Sequence, residues 1–185
     1  VAWTTHVNTN WRPVATADVN ADGRNDLVWQ GLDGRVVVWF MSVSPTGVPL
    51  FVSAGFVMDT GALANTQQPL QLSATQRISV VVPDPLAAGV NLIVQDTTTG
   101  DLLNLFVQPD LSAPSRHIGL PTSVDPNWQI RAAADYNGDG QADLLFQHVT
   151  TGDLDVWYVV NNTFSSGAYL NPSRVNPVWM VVGPR

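Results

Sequence analysis

The chain has 185 residues, room for one or two domains and a sizeable core. Its 8 basic residues are all Arg and its 15 acidic residues all Asp, for a net charge of −7, and Lys, Glu and Cys are absent. That excludes a lysine Schiff base, a cysteine nucleophile, a thiolate metal site and a glutamate general acid, and the scattered Arg residues argue against nucleic acid or anionic lipid as partners.

Two further general features shape the expectations. Only 12% of residues are charged while 45% are hydrophobic, and Val, Thr, Asn, Gly and Pro abound where good helix formers would stand, so an all-β fold is expected. No apolar run approaches the roughly 20 residues that span a bilayer, so no membrane insertion is expected. The sequence starts Val1-Ala2-Trp3 without an initiating Met or signal peptide, as a mature, trimmed or excised piece would.

In chain order, residues 1–7 read as a terminal strand. A first unit, residues 11–69, opens at Trp11 with a strand to Ala17, passes an Asp/Asn loop, and resumes as a strand from Asp26 to Gln30. A tight turn at Asp33-Gly34 leads to a third strand ending in Trp39 and Phe40, and a looser fourth strand is expected over 49–57. The second unit, residues 70–127, repeats this order weakly: strands over 78–82 and 91–95, a Thr99-Gly100 turn, a strand through Leu105 and Phe106, and a fourth near 115–120.

The third unit, residues 128–178, matches the first without a gap from Trp128 to Gln147, then has its turn at Thr151-Gly152, Trp157 in the third strand and a fourth strand over 163–170. Residues 179–183 match the opening Trp strand once more. The Pro-, Thr- and Gln-containing segments 59–69 and 111–127 read as crossings between units. Three four-stranded units of roughly 50–65 residues, plus extra terminal strands, predict a β-propeller-type array within one repeat domain.

The chemistry concentrates in two loops. Asp18, Asn20, Asp22 and Asp26 fall at loop positions 1, 3, 5 and 9 with Gly23 at position 6; Asp135, Asn137, Asp139, Asp143 and Gly140 repeat the set. Alternate spacing turns oxygen side chains inward, Gly permits the sharp turn, and position 7 (Arg24 or Gln141) offers a backbone carbonyl. Such all-oxygen sets favour Ca²⁺ over softer metals, so two Ca²⁺ sites are predicted, offsetting four of the seven net negative charges. The second unit keeps only Asp84 and Asn91 amid Pro and Ala, and a metal-free turn is expected there. Calcium is therefore read as structural.

The string W-x6-D-x-N-x-D-G-x2-D-L, followed by a T/D-G turn and V-W, resembles the FG-GAP/VCBS repeats of bacterial secreted proteins and integrin-α-like calcium-binding β-propellers. The resemblance covers nearly the whole chain, sharp in the first and third units and weak in the second. It implies an extracellular protein, secreted or at a bacterial cell surface, serving attachment or glycan binding.

Other candidates are bland. Trp11, Trp128 and Trp179 share one repeat position and Trp39 and Trp157 another, as packing between units would require. His6, His117 and His148 have no metal-ligand spacing, no nucleophile elbow is present, and no enzyme is expected. Asn161-Asn162-Thr163 is a formal glycosylation sequon. Because closed propellers need about four to eight blades, three outcomes are expected: a homo-oligomeric ring, a piece of a longer propeller, or a polymer joined through the terminal strands. The leading function is a non-catalytic module for adhesion or ligand binding, with a glycan or cell-surface ligand; the alternative is a structural, self-assembling subunit completed by strand exchange.

Overall fold

The computed structural model describes residues 9–64, 67–117 and 119–183, and the expected strand over 1–7, with Trp3 and His6, lies outside them. Among the described residues there is no helix. The chain forms β1 (Trp11–Ala17), β2 (Asp26–Gly31), β3 (Val36–Val43) and β4 (Pro49–Phe56), then the short β5 (Met58–Asp59) and β6 (Gln68–Pro69). β7 (Gln76–Pro83), β8 (Val90–Asp96), β9 (Leu102–Val107), β10 (Ser112–Ala113) and β11 (Ser115–His117) follow, then β12 (Trp128–Ala134), β13 (Asp143–His148), β14 (Asp153–Val160) and β15 (Thr163–Arg174).

These make three four-stranded antiparallel sheets, β1-β2-β3-β4, β7-β8-β9-β11 and β12-β13-β14-β15, one for each sequence unit. None closes into a barrel. The protein is thus all-β and built from three repeated sheets.

Two expectations need correction. The segments read as plain crossings contain a fourth, three-stranded sheet, in which β10 pairs parallel with β5 and β5 antiparallel with β6. Carbonyls of Leu111 and Ala113 accept from Met58, Thr60 and Ala62, so the two linkers satisfy each other's backbone. Residues 179–183 are not a strand but an extended segment laid on the third sheet.

The core lies in the seams between sheets. Val28, Val36 and Val38 of the first unit pack with Ile78, Leu92, Val94 and Leu105 of the second. Val80, Ile93 and Leu102 on the opposite face of the second unit pack with Ile130, Leu144 and Phe146 of the third. Alternation along each strand places one residue set in one seam and the next set in the other, which explains the near-continuous apolar runs. The first strands are neighbours: β7 contacts both β1 and β12.

A glutamine crosses each seam. Gln30 on β2, buried in the seam, donates to the carbonyl of Gln76 at 2.9 Å and accepts from the N–H of Ile78 at 3.1 Å. Gln95 does the same to Trp128 and Ile130, at 2.6 and 3.2 Å. Gln147 holds Trp179 and Val181, at 2.6 and 3.1 Å. The gripped amide precedes a register shift in β7 and β12, between Ile78 and Val80 and between Ile130 and Ala132. β1 has the same shift, between Pro13 and Ala15, but Pro13 offers no N–H.

Each clasp is completed by the turn after the second strand. The carbonyls of Gly34, Gly100 and Gly152 accept from Leu72, Val124 and Val175, four residues before Gln76, Trp128 and Trp179. All three glycines have φ between 77° and 85°, and a Cβ on any of them would overlap the carbonyl of the residue it holds. A wholly buried Val, Leu or Phe contributes about 1.5–3 kcal/mol, against about 1 kcal/mol net for one hydrogen bond. Apolar burial therefore holds the seams, and the glutamines set their register.

Candidate metal centres

Both Asp/Asn loops are wound by their own side chains. In the first, Asp18 Oδ1 accepts from the N–H of Asp22 at 2.9 Å and Oδ2 from that of Gly23 at 2.8 Å. Asn20 Oδ1 accepts from Asp22, and Asp22 Oδ1 from the N–H of Arg24. The third-unit loop repeats this pattern: Asp135 takes Asp139 and Gly140 at 3.1 and 2.8 Å, Asn137 takes Asp139, and Asp139 takes Gln141. Asp135 also accepts from Gly138 at 2.7 Å. Hydrogen bonding led by the Gly140 amide holds the Asp135 carboxyl below its ordinary range.

Positions 1, 3 and 5 of each loop are therefore brought together at the exposed end of the sheet, with Asn20 and Asn137 donating to Asp22 and Asp139. The backbone turns where the pattern demands, with Gly23 and Gly140 at φ 84° and 83°. Position 4 is also left-handed. Gly138 sits there at φ 82° in the third unit, but Ala21 at φ 60° in the first.

The ninth-position aspartates do something the spacing did not announce. Asp26 and Asp143 are wholly buried. Asp26 accepts from Val19 at 3.2 Å and Met41 at 3.0 Å; Asp143 accepts from Tyr136 at 3.0 Å and Val159 at 2.9 Å. Each carboxylate thus braces the loop entrance to the far end of the third strand. Burial pushes the Asp26 carboxyl up, partly offset by the Met41 and Val19 amides.

The donor chemistry fits a hard cation. Each loop offers two exposed or half-buried carboxylates, an amide oxygen and carbonyls, with the third carboxylate beneath. Among the described residues no three His, Cys, Asp or Glu side chains already form a closed metal cage, in keeping with the two ninth-position aspartates being turned to backbone amides.

The second unit replaces the loop with a polar lock. Asn91 pairs with Val82 in the register where Asp26 pairs with Ala17 and Asp143 with Ala134. Asp84 Oδ1 accepts from the amides of Leu86 and Ala87. Its Oδ2 meets Asn91 and Asn162 at 3.0 Å and His117 Nε2 at 2.9 Å. Asn162 belongs to the third unit, so this lock bridges a seam. Burial opposes ionisation of Asp84, but the Leu86 amide and the side chains of Asn91, Asn162 and His117 outweigh it and hold the carboxyl below its ordinary value.

The aromatic repeat positions diverge in environment. Trp157 packs on Phe146 at 4.6 Å and Trp128 lies against the same seam cluster. Trp39 lies against Trp29 with ring centroids 4.8 Å apart and planes tilted by 45°, and Trp179 is 69% exposed. His148 accepts from Thr151 in its own turn. The three clasping glutamines and the Asp84 lock were missed as functional groups in the sequence, although Trp29-Gln30, Val94-Gln95 and Phe146-Gln147 repeat visibly at the ends of the second strands.

Compared with known proteins, the chain matches no family model, no curated protein and no solved structure.

Proposed function

We propose that this protein is a non-catalytic, calcium-stabilised β-propeller-type module of the FG-GAP/VCBS kind, working outside a bacterial cell in adhesion or ligand binding, with glycans among its ligands. The observation that carries this reading is the recurrence of one side-chain-wound Asp/Asn loop at the same register in two of three sheets. Loops of this kind hold Ca²⁺ through oxygen alone. That the second unit manages with the Asp84 lock instead supports a structural rather than catalytic ion. Adjacent first strands and face-to-face seams support the propeller-type arrangement.

The test is solution mass and thermal unfolding with Ca²⁺ and with excess chelator, followed by a glycan panel. Calcium-dependent stability and a saturable glycan response are the expected results. Indifference to chelator would remove the calcium reading, and a flat glycan panel the lectin reading.

One observation favours a second reading, a self-assembling subunit. Trp29 and Trp39 stand in the register of Phe146 and Trp157, which the third unit buries against the second. On the first unit that face carries a concavity of about 260 Å³ among Trp11, Trp29, Trp39 and Phe56. A discrete species of twice the 20.0 kDa chain mass, or an open polymer, would support it.

A further inference from the structure

We propose that the cavity in the seam between the second and third units binds a small neutral polyhydroxy molecule, a single sugar ring or polyol, through the side-chain amide of Asn104. The proposal rests on the ligand-binding reading above and gives it a site.

The register isolates Asn104. It pairs with Ile93 where Val38 pairs with Val28 and Val156 with Leu145. Both valines are 1% exposed core residues. Asn104 is also buried, at 3% exposure, yet its Oδ1 has no hydrogen-bond partner among the described residues. A buried polar group left unpaired opposes folding, a cost that the valine of the other two units avoids.

Asn104 borders space. A cavity of about 270 Å³ is lined by Ile93, Leu120 and Leu144 on its apolar side and by Asn104, Asn162 and Asp135 on its polar side. A second cavity of about 320 Å³ shares Asn104 and Leu120 with the first, so the residue lines both. The first volume lies just below the usual range for ligand sites, about 300–1,000 Å³, which limits the occupant to roughly one ring.

The lining selects its chemistry. An amide presents one acceptor and two donors side by side, matching adjacent hydroxyl groups that both give and accept. The aliphatic wall suits the C–H face of a ring. Among the described residues no Arg lines the first cavity, and its carboxylate, Asp135, opposes an anion. Asp135 and Gly140 also belong to the third-unit loop, so an ion that fixes the loop fixes this wall. Calcium and sugar binding should therefore strengthen each other.

Asn104→Val tests the site with the residue that the other units carry, so the variant is expected to fold. The probes are D-glucose, D-galactose, D-mannose and glycerol, each titrated with Ca²⁺ and with chelator. The readouts are thermal unfolding and the side-chain amide resonances of Asn104, assigned by their loss in the variant. At least one probe should shift those resonances saturably and raise the unfolding temperature, with weaker affinity in chelator. Asn104→Val should unfold at higher temperature and lose at least about tenfold in affinity. A variant that binds as the wild type does, or wild-type resonances unmoved by every probe, overturns the proposal and leaves a hydrated cavity only. Glycan binding that persists in Asn104→Val would spare the module reading while removing this site. A sugar response that survives alongside indifference to chelator would do the reverse for the calcium reading.

Discussion

The side chain of Gln95 closes a two-point bond on the main chain around Ile130, its Oε1 lying 3.2 Å from the Ile130 amide. One residue thereby fixes where the third sheet begins relative to the second.

Removing that residue should weaken the seam. Gln95→Ala leaves the Trp128 carbonyl and the Ile130 amide without their partner, and the expected loss is about 2–4 kcal/mol in urea unfolding. Gln147→Ala removes the same two bonds from an exposed segment, where water replaces them. Its expected cost is below about 1 kcal/mol, with a change in Trp179 fluorescence. Equal losses at the two positions would contradict a clasp whose strength comes from burial.

The fourth loop position gives a prediction with two signs. Ala21 is held at φ 60° where the third unit has Gly138 at φ 82°. Ala21→Gly should ease the first loop, and Gly138→Ala should strain the other by about 1 kcal/mol. No heavy atom lies within 4 Å of a Cβ built at Gly138, so the cost is one of backbone conformation rather than collision. Calcium-dependent thermal unfolding of the two variants should move in opposite directions.

Calcium removal should lower the unfolding temperature, because an ion bound only by the folded state stabilises it by mass action. Asp22→Asn and Asp139→Asn should each abolish roughly half of the response, and together all of it. The second unit provides the control: Asn91→Ala breaks the Asp84 lock and should lower stability equally with and without calcium.

Acid should release the lock. The folded Asp84 carboxyl is held below its ordinary value of 3.8, so its contribution is full above that value and disappears as pH falls toward the folded pKa. Asp84→Asn should be less stable than wild type near neutral pH and should lose less on acidification, measured in chelator by urea midpoints. Asp26 has the opposite sign. Its carboxyl is raised by burial, so its ionisation opposes folding and protonation relieves that cost as pH falls through the raised pKa.

Much of this protein is local and was legible without coordinates. Asp33-Gly34, Thr99-Gly100 and Thr151-Gly152 announce turns because few residues other than Gly tolerate their positive φ. The two Asp/Asn loops follow from spacing alone, because positions 1, 3 and 5 of a short loop wind on each other. Strand order within the three repeated sheets follows from short connections between consecutive strands, whereas the parallel pairing of β10 with β5 does not.

What only the tertiary structure decided depends on partners distant in sequence. In the sequence Asp26 reads only as a ligand position, and its bond to the Met41 amide, fifteen residues on, depends on where β3 lies. Gln30 is an ordinary polar residue until β7, 46 residues away, places the Gln76 carbonyl against it. Asn104 and Val38 occupy the same register, and only the packing of the third unit reveals that one of them is a residue with an unpaired buried oxygen at the edge of a cavity. Local sequence dictates turns, loops and strands because their hydrogen bonds close within a few residues. The seams were decided by tertiary packing, because the groups that satisfy a buried amide or carboxylate there arrive from another sheet.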